Sequence, residues 1–523
     1  MTTGHEPPRP SREIALDLKD IERDIEFERA VLDESIKHDY STSETGVVPL
    51  DRRRPLWHFA GLWLTFQSGF SFLFVGFTLH DGGYRLISTV GILLLGIVTY
   101  ISYATLAAWL GARTGQTHSL LTRSVFGRTG SLLVSLFLII GPIGWVGFQG
   151  NLLAVIWDGL YGWDHVLWLG IILSVLMIFN NLFGFTGISA FARYLVTPIF
   201  VLWIIYLVIK GLTEGSSFLG AHPQTDSHLS FWLALGAVIG FAIWGNEEDL
   251  FRFGKPRPAT WSVPAYAFGF FFGLFLFGVG GWMMAQLSGT ADFGPAVRAT
   301  THYSLFGAIW LAWILATLGQ VAINDGNYYE GINAGQNLLG GWKRWRRVYT
   351  CFIIAGLGGL AAWLVPYHIS NGFFKLAAFQ AITLPCASLI MVVDHFVVPR
   401  VFGVSRPLLK VPAWRDAALI NWPGVIALVA AVAFGGYGSG IWPGEDSSRY
   451  WGFLILETWV LAIVLYLAGV AITRAFAGAR VKQALGFSRD ALAMNVPPGA
   501  IIDIGSVEEE STAAPDATPV PAT

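Results

Sequence analysis

Runs of about twenty apolar residues recur along most of this 523-residue chain, and they constrain its fold more than any other feature. A helix of that length, rising about 1.5 Å per residue, spans the roughly 30 Å hydrocarbon core of a bilayer. Because a backbone amide inside the bilayer must find its partner within the protein, such runs predict helices. We therefore expect an all-α integral membrane protein with about twelve transmembrane helices.

The apolar runs are numbered spans 1 to 12 in chain order. They lie near 57–79, 86–110, 132–156, 166–185, 194–212, 231–250, 263–284, 305–327, 349–365, 373–397, 425–434 with its flanks, and 451–472. Spans 5 and 11 are the least clearly delimited. The even number predicts that both ends of the chain lie on the same side of the membrane.

Lysine and arginine are concentrated in alternate connections, as the positive-inside rule requires of cytoplasmic loops. With the N-terminus inside, the internal connections carry Arg113, Arg123, Arg128, Arg193, Arg252, Lys255, Arg257, Lys343, Arg344, Arg346, Arg347, Arg400, Arg406, Lys410 and Arg415. The external connections carry scattered charges such as Arg85, Arg298 and Arg449. This pattern predicts a multi-pass protein of the plasma (inner) membrane with both termini in the cytoplasm.

Composition separates two tails from the body of the chain. Residues 1–55 are polar and charged and contain no apolar core of a cleaved signal peptide, so they predict a cytoplasmic N-terminal tail. Residues 56–475 predict a single transmembrane domain. Residues 476–523, whose end is rich in Ala, Pro, Thr and Glu, predict a largely disordered cytoplasmic tail.

Charge and cysteine content exclude several classes of function. A net charge of −2 provides no basic field that would recruit nucleic acid. Cys351 and Cys386 both lie in apolar runs, where they predict small core residues rather than a disulfide or a metal pair. We therefore expect no metal and no cofactor, with membrane lipid around the protein.

Polar residues interrupt span 1 at its middle, and polar groups at membrane depth are functional candidates by default. Gln67, Ser68 and Gly69 lie side by side within an otherwise apolar run. Glycine beside amide and hydroxyl side chains is typical of an unwound helix whose free carbonyls face a cavity. The alternative is a close contact between helices through small residues.

Span 3 places Trp145 and Gln149 four residues apart, and hence on one helical face. An indole offers a plane on which a flat heterocycle stacks, and an amide one turn away offers both a donor and an acceptor to its edge. The alternative is a packed tryptophan with a glutamine bonded to the backbone.

Span 6 carries Gly240, Phe241 and Trp244 near its midpoint, and these aromatic residues are candidates for a second wall. Asp249 and Arg252 follow three residues apart on one face, at the inner end of the helix. We expect this pair to be a structural clasp or gate rather than a substrate contact.

Span 8 ends in a polar stretch that includes Gln320, Asn324, Asp325 and Asn327. An acid among amides at this depth is a candidate for binding a cation or a proton. If the helix ends earlier, the same residues would cap it near the cytoplasmic surface.

In order and spacing these segments resemble the nucleobase:cation symporter family, which includes cytosine, purine, uracil and allantoin permeases and a hydantoin transporter. The resemblance covers spans 1 to 10. It is carried by Trp145, Gly147 and Gln149 in span 3, by Asp249, Arg252 and Phe253 closing span 6, and by the asparagine-rich span 8. It implies the leucine-transporter-like fold, in which spans 1–5 and 6–10 are inverted repeats, spans 1 and 6 are broken, and two helices follow.

The resemblance also implies where a substrate would bind. A cytosine- or purine-like base would stack between Trp145 and an aromatic residue of span 6, with Gln149 reading one edge. Position 240 is glycine where relatives commonly carry an aromatic residue, so Phe241 or Trp244 would serve instead. The implied substrate contacts are Trp145, Gln149, Phe241, Trp244, Gln67, Asn324 and Gly240. The expected function is secondary active import of such a base together with a cation.

Two apolar residues of span 8 bear on the coupling ion. Sodium-coupled relatives place two adjacent hydroxyl side chains before the first asparagine of span 8, and this chain has Ala322 and Ile323 there. Because sodium is a hard cation that needs several oxygen ligands, the resemblance favours H+ over Na+. Asp325 and Glu247 are the candidate proton carriers.

Other classes of function remain open alternatives. An amino-acid permease of the same fold would bind the substrate carboxylate at unwound glycines of span 1. This chain has only Gly69 near that point, beside the bulky Phe66 and Phe70. An intramembrane enzyme would need paired catalytic groups, and the sequence has no HExxH or GxSxG motif. A channel would need a selectivity-filter motif, which is also absent.

Overall fold

The computed structural model describes residues 48, 53–183, 197–214, 217–223, 225, 227–245, 247–339, 347–364, 369–406, 417–442, 445 and 449–487. Most of the two predicted tails, 1–55 and 476–523, therefore lies outside the described residues. The same holds for Arg193, Lys343, Arg344, Arg346, Lys410 and Arg415 of the predicted internal loops.

The described part of the chain is helical and contains no strand. Spans 1 to 6 are Leu56–Phe66 with Phe70–Asp81, Leu86–Thr114, His118–Tyr161, Val166–Leu176 followed by Phe179–Phe183, Thr197–Glu214, and Phe231–Ala242 with Glu247–Phe251. Spans 7 to 12 are Val263–Phe270 with Phe271–Phe275 and Leu276–Ser288, then Ile309–Leu339, Arg347–Leu364, Ile369–Phe396, Trp422–Ser439 and Leu454–Ala477. Short helices at Ser217–Gly220, Phe293–Ser304, Val398–Phe402 and Val481–Ala484 connect or follow them.

Length and composition agree with a multi-pass membrane protein. Six helices within the described ranges are long and apolar enough to cross a bilayer, and the two halves of span 1 pass the same test as a bent pair. Spans 4, 5 and 9 are shorter apolar helices. Span 8 is preceded by Phe293–Ser304, which is bent from it by 119° and is thus a separate element. Each predicted span coincides with a helix or a pair of half-helices.

The predicted breaks in spans 1 and 6 are confirmed. The two halves of span 1 meet at an angle of 56°, and Gly69 between them has φ 145°. Gly245 in the break of span 6 has φ 84°. Such backbone angles are accessible to glycine at little cost and are strained in residues with a side chain. Gly69 also lies close to span 8, because a Cβ there would be 2.8 Å from Ile323 Cδ1, so the break and the close helix contact occur together.

Glycines bring spans 1 and 7 into backbone contact. A side chain at Gly76 would collide with the carbonyl of Gly278, and one at Gly281 with the carbonyl of Leu73. Small residues of this kind let membrane helices approach closely, so that dispersion forces replace the hydrophobic effect as the source of cohesion. The second half of span 1 is thereby held against span 7, and Gly269 and Gly273 bring the first half equally close to the same span.

Spans 3 and 8 are longer than predicted. Span 3 begins at His118, fourteen residues before the predicted start at 132, and continues through a kink at Gly127, where φ is 76°. Span 8 continues to Leu339, twelve residues beyond the predicted end at 327. The alternative in which Asn324 and Asp325 cap the helix is therefore wrong, and both residues lie in its interior.

Candidate functional site

A buried cavity lies where the broken spans 1 and 6 face spans 3 and 8. It is lined by Phe72, Trp145, Gln149, Phe241, Ile243, Trp244, Ile323 and Asn327. Its volume is about 20 Å³, which is room for about one water molecule. The walls of the pocket therefore lie close together in this structure.

The rings of Trp145 and Phe241 form the apolar side of this pocket. Their centroids are 5.1 Å apart and their planes meet at 80°, an edge-to-face contact. Phe72 also meets Phe241 edge to face, at 4.8 Å. Edge-to-face contact is a favourable arrangement for two aromatic rings. A flat ligand that enters between Trp145 and Phe241 must therefore separate the two rings.

Trp244 forms a second aromatic wall at the break of span 6. Its ring stacks on Phe66 of span 1 with centroids 4.8 Å apart. The same ring lies against Gly326 of span 8, where a side chain would collide with it. Its carbonyl accepts a hydrogen bond of 2.6 Å from Gln380 Nε2. The indole Nε1 is buried and, within the described residues, has no hydrogen-bond partner. It is thus a donor beside the pocket that a ligand oxygen or nitrogen would satisfy.

Gln149 is held by a short chain of polar side chains. Its Oε1 accepts from Gln320 Nε2 at 2.8 Å, and Gln320 Oε1 accepts from the hydroxyl of Ser71 at 3.2 Å. Spans 1, 3 and 8 are linked through these amides, which fixes the orientation of Gln149. Asn327 shares the pocket and donates from Nδ2 to Asn324 Oδ1 at 3.0 Å.

Three predicted contact residues do not line the pocket. Gly240 faces span 10, because a side chain there would collide with the backbone of Ala377. Gln67 is buried against span 7, where a Cβ at Gly273 would lie 2.5 Å from Gln67 Cβ. Asn324 points its Nδ2 at Met177 Sδ, 2.8 Å away. Their assignment as substrate contacts therefore stays a prediction.

The residues of the pocket that the sequence reasoning did not assign to the substrate are Phe72, Ile243, Ile323 and Asn327. Asn327 was visible as part of the polar stretch of span 8, one helical turn from Asn324. Phe72 and Ile243 carry no signal of their own, because each is one apolar residue among many. Their position beside the two helix breaks is the feature of the sequence that could have identified Phe72 and Ile243 as pocket residues.

The two candidate proton carriers lie in different environments. Asp325 accepts from Asn180 Nδ2 at 2.9 Å and from Asn181 Nδ2 at 3.4 Å, which joins span 8 to the end of span 4. Glu247 accepts from the hydroxyls of Tyr100 and Tyr103, at 3.0 and 2.8 Å, which joins span 6 to span 2.

Asp249 and Arg252 connect the inner half of span 6 to two other helices. Asp249 accepts from the backbone N–H of His118 in span 3, and from Asn333 Nδ2 in span 8 at 2.8 Å. The guanidinium of Arg252 donates to the hydroxyl of Tyr329 in span 8 at 3.1 Å. Asp249 and Arg252 thus link span 6 to spans 3 and 8, and neither residue lines the pocket. Their role as a structural clasp stays a prediction.

We expect Asp249→Ala to lower thermal stability strongly while leaving the affinity for substrate nearly unchanged. Removing one member of a buried, hydrogen-bonded charge cluster typically costs about 3–5 kcal/mol. The measurement is the melting temperature of the detergent-solubilised protein together with a ligand dissociation constant. Asp164→Ala, at an exposed aspartate between spans 3 and 4, is the matched control. A large loss of affinity at an unchanged melting temperature would instead place Asp249 in direct contact with substrate.

The fold and site together define a class of protein. Two broken helices meet at a small aromatic and amide-lined cavity inside an all-helical membrane domain, an arrangement found in secondary transporters with alternating access. No family model matches the chain. It is 27% identical over 375 residues to the cytosine permease of Escherichia coli O157:H7, which covers 70% of this chain and 81% of the relative. The cytosine permease of Escherichia coli K12 is matched to the same extent.

Solved structures agree on the fold. Mhp1, a nucleobase-cation-symport-1 family transporter in a closed conformation with bromovinylhydantoin bound, superposes with a TM-score of 0.66 at 14% identity, over 85% of this chain and 100% of that one. Its inward-facing conformation gives 0.64 at 16% identity, over 86% and 98%. A Na+-coupled sialic acid symporter gives 0.56 at 13% identity, over 85% and 96%. The protein is a multi-pass secondary transporter rather than an enzyme, and it is similar in sequence to cytosine permeases and in fold to a nucleobase-cation-symport-1 family transporter.

Proposed function

We propose that this protein imports a nucleobase or a closely related flat heterocycle, of the cytosine or purine kind, by symport with a proton. The observation that supports the substrate class most directly is the pocket itself, which combines the rings of Trp145, Phe241 and Trp244 with the amides of Gln149 and Asn327. Flat aromatic heterocycles offer faces for stacking and an edge of donors and acceptors. The cytosine substrate named for the bacterial relatives has this chemistry.

The polar groups at the pocket fit the edge of a base. Trp244 Nε1 is a hydrogen-bond donor without an acceptor among the described residues. The side-chain amides of Gln149 and Asn327 each carry both a donor and an acceptor. A site that hydrogen-bonds its ligand rejects analogues that lack the matching groups, since its own buried polar atoms would be left unpaired. Discrimination between bases would therefore come from Trp244, Gln149 and Asn327, while Trp145 supplies affinity for any flat ring.

The closed pocket is too small for a base, so binding requires the walls to separate. The break in span 6 carries Trp244, and the break in span 1 lies beside Phe66, on which Trp244 stacks. Motion at the two breaks would part this stack and open the cavity toward one side at a time. Alternating access of this kind is how transporters with broken helices move substrates past a fixed central site.

We further propose that the transporter lies in the plasma membrane with both termini in the cytoplasm. The distribution of lysine and arginine supports this orientation. Large apolar side chains such as Trp168, Leu202 and Val429 are exposed on the outer surface, as lipid contact requires.

The proposed substrate class is tested by thermal-shift measurements on the solubilised protein against nucleobases, hydantoins and allantoin, followed by saturable uptake of the best ligand into liposomes. A ligand present at 100 times its Kd is expected to stabilise the protein by about 2.7 kcal/mol. A set of amino acids is measured as the control, because they would be the substrates if the protein were an amino-acid permease of the same fold. Stabilisation by an amino acid and by none of the heterocycles would overturn the proposal.

A further inference from the structure

The carboxylate of Glu247 holds the break in span 6 together. The residue is fully buried, and its Oε1 faces the backbone N–H groups of Trp244 and Gly245, at 3.3 and 3.4 Å. The same oxygen accepts from the hydroxyl of Tyr100 at 3.0 Å, and Oε2 accepts from that of Tyr103 at 2.8 Å. One side chain thereby ties span 2 to the unwound backbone that carries a wall of the pocket.

A row of exchangeable protons leads from Glu247 to His118. The hydroxyl of Tyr103 lies 3.3 Å from Ser388 Oγ, and Ser388 Oγ lies 3.3 Å from His118 Nδ1. His118 Nδ1 is in turn 3.2 Å from Glu248 Oε2. Across the described residues, His118 Nε2 and Glu248 Oε1 are buried without any hydrogen-bond partner. These two atoms, at the far end of the row, are therefore available to bind or to release a proton.

Further charged groups face this cluster from the neighbouring helices. Span 6 adds Asp249 and Arg252, span 7 adds the hydroxyl of Tyr266, and span 8 adds Glu330. Both carboxyl oxygens of Glu330 are buried and have no partner in the part of the chain that the structure describes. Glu247, Glu248 and Glu330 are all buried, and removal from water disfavours the charged form of a carboxyl group. The cluster thus offers several groups that can bind a proton.

We propose that Glu247 binds the coupling proton and that its neutralisation loosens the break in span 6, and with it the Trp244 wall of the pocket. This inference rests on the proposed proton symport and names the group that performs it. Hydrogen bonds to a carboxylate are about twice as strong as those between neutral groups. Protonation weakens the hold of Glu247 on the N–H groups of Trp244 and Gly245, so the occupancy of a proton site changes the shape of the substrate site.

The row of side chains also gives the proton a path from Glu247 to the buried His118. Protonated Glu247 gives its proton to the Tyr103 oxygen, Tyr103 gives its own to Ser388, and Ser388 gives its own to His118 Nδ1. Each hydroxyl gains one proton and loses one. The net result is a carboxylate at Glu247 and an imidazolium at His118, beside the carboxylate of Glu248. Asp325, by contrast, accepts hydrogen bonds from two asparagine amides of span 4 and, among the described residues, has no hydrogen bond to this row.

The test compares Glu247→Gln with the unmodified full-length protein in liposomes, using radiolabelled cytosine. Glutamine keeps the shape of the protonated acid but cannot exchange a proton. Counterflow exchange, which needs no net proton movement, is expected to persist. Accumulation driven by a pH gradient is expected to fall about tenfold, the size of a typical coupling between two binding sites. Glu457→Gln, on the outer face of span 12, is the matched control and should accumulate normally.

Two further measurements separate the outcomes. Hydrogen exchange at the amides of Trp244 and Gly245 should be faster in Glu247→Gln than in the unmodified protein at the same pH. Tyr103→Phe keeps the carboxylate of Glu247 but interrupts the row, so it should slow accumulation and leave counterflow unchanged. It is used in place of Glu247→Gln if Glu247→Gln fails to fold. Normal accumulation in Glu247→Gln, or its loss in Asp325→Asn alone, would overturn the assignment. If the unmodified protein exchanges cytosine but does not accumulate it in response to a pH gradient, proton symport itself is contradicted.

Discussion

Replacing Trp145 by alanine is expected to weaken binding of the transported heterocycle by about 5- to 150-fold, because stacking of a base on an aromatic side chain contributes about 1–3 kcal/mol. Trp145 is almost completely buried and lies at the edge of Phe241 in the pocket. When the pocket opens, its indole is the largest flat surface of span 3 that faces the cavity. The measurement is the dissociation constant of the solubilised protein for its best heterocycle.

Two companion variants make this result interpretable. Trp145→Phe keeps an aromatic face and should retain most of the affinity. Trp168→Ala removes an indole that is 66% exposed on the outer surface of span 4, and it should leave affinity unchanged. Truncating a buried tryptophan also costs about 3–5 kcal/mol of stability, so the melting temperature is recorded for each variant. Unchanged affinity in folded Trp145→Ala would remove this residue from the site.

The break in span 1 was predictable from sequence because two independent signals coincide there. Gly69 supplies backbone freedom, and Gln67 with Ser68 places polar groups where an intact apolar helix has none. The break in span 6, where Gly245 has φ 84°, was expected from the family resemblance. The true length of span 8 was not predictable by the same reasoning. Hydropathy measures transfer into lipid, and it cannot register that Asn333 bonds to Asp249.

The pocket was predictable only in part, because helical position decides which neighbouring residue faces it. Trp145 and Gln149 share a face by their spacing of four, and both line the cavity. Gly240 and Phe241 are consecutive, so their directions differ by about 100° around the helix. One therefore packs on span 10 and the other faces the pocket. Sequence reasoning could locate the relevant segment but not its rotation against neighbouring spans.

We expect uptake to rise when the external solution is acidified, to collapse when a protonophore is added, and to be unaffected when sodium is replaced by choline. The reason lies in span 8. The family resemblance implies that sodium-coupled relatives carry hydroxyl side chains at the two positions that Ala322 and Ile323 occupy in this chain. Both side chains are buried, and Ile323 Cδ1 approaches the break of span 1 at Gly69. At these two positions the side chains supply hydrocarbon and no oxygen ligand for a hard cation.

A proton needs only one titratable group that alternates between a dry and a wet environment, and Glu247 and Asp325 are both buried. Acidification supplies the driving ion, so the expected sign is an increase in uptake as external pH falls. Initial rates in liposomes at fixed internal pH measure this directly, and choline at constant ionic strength controls for charge screening. A steep sodium dependence at fixed pH would contradict proton coupling. It would mean that Asn324, Asp325 and carbonyls of the broken span 1 complete a sodium shell without hydroxyl side chains.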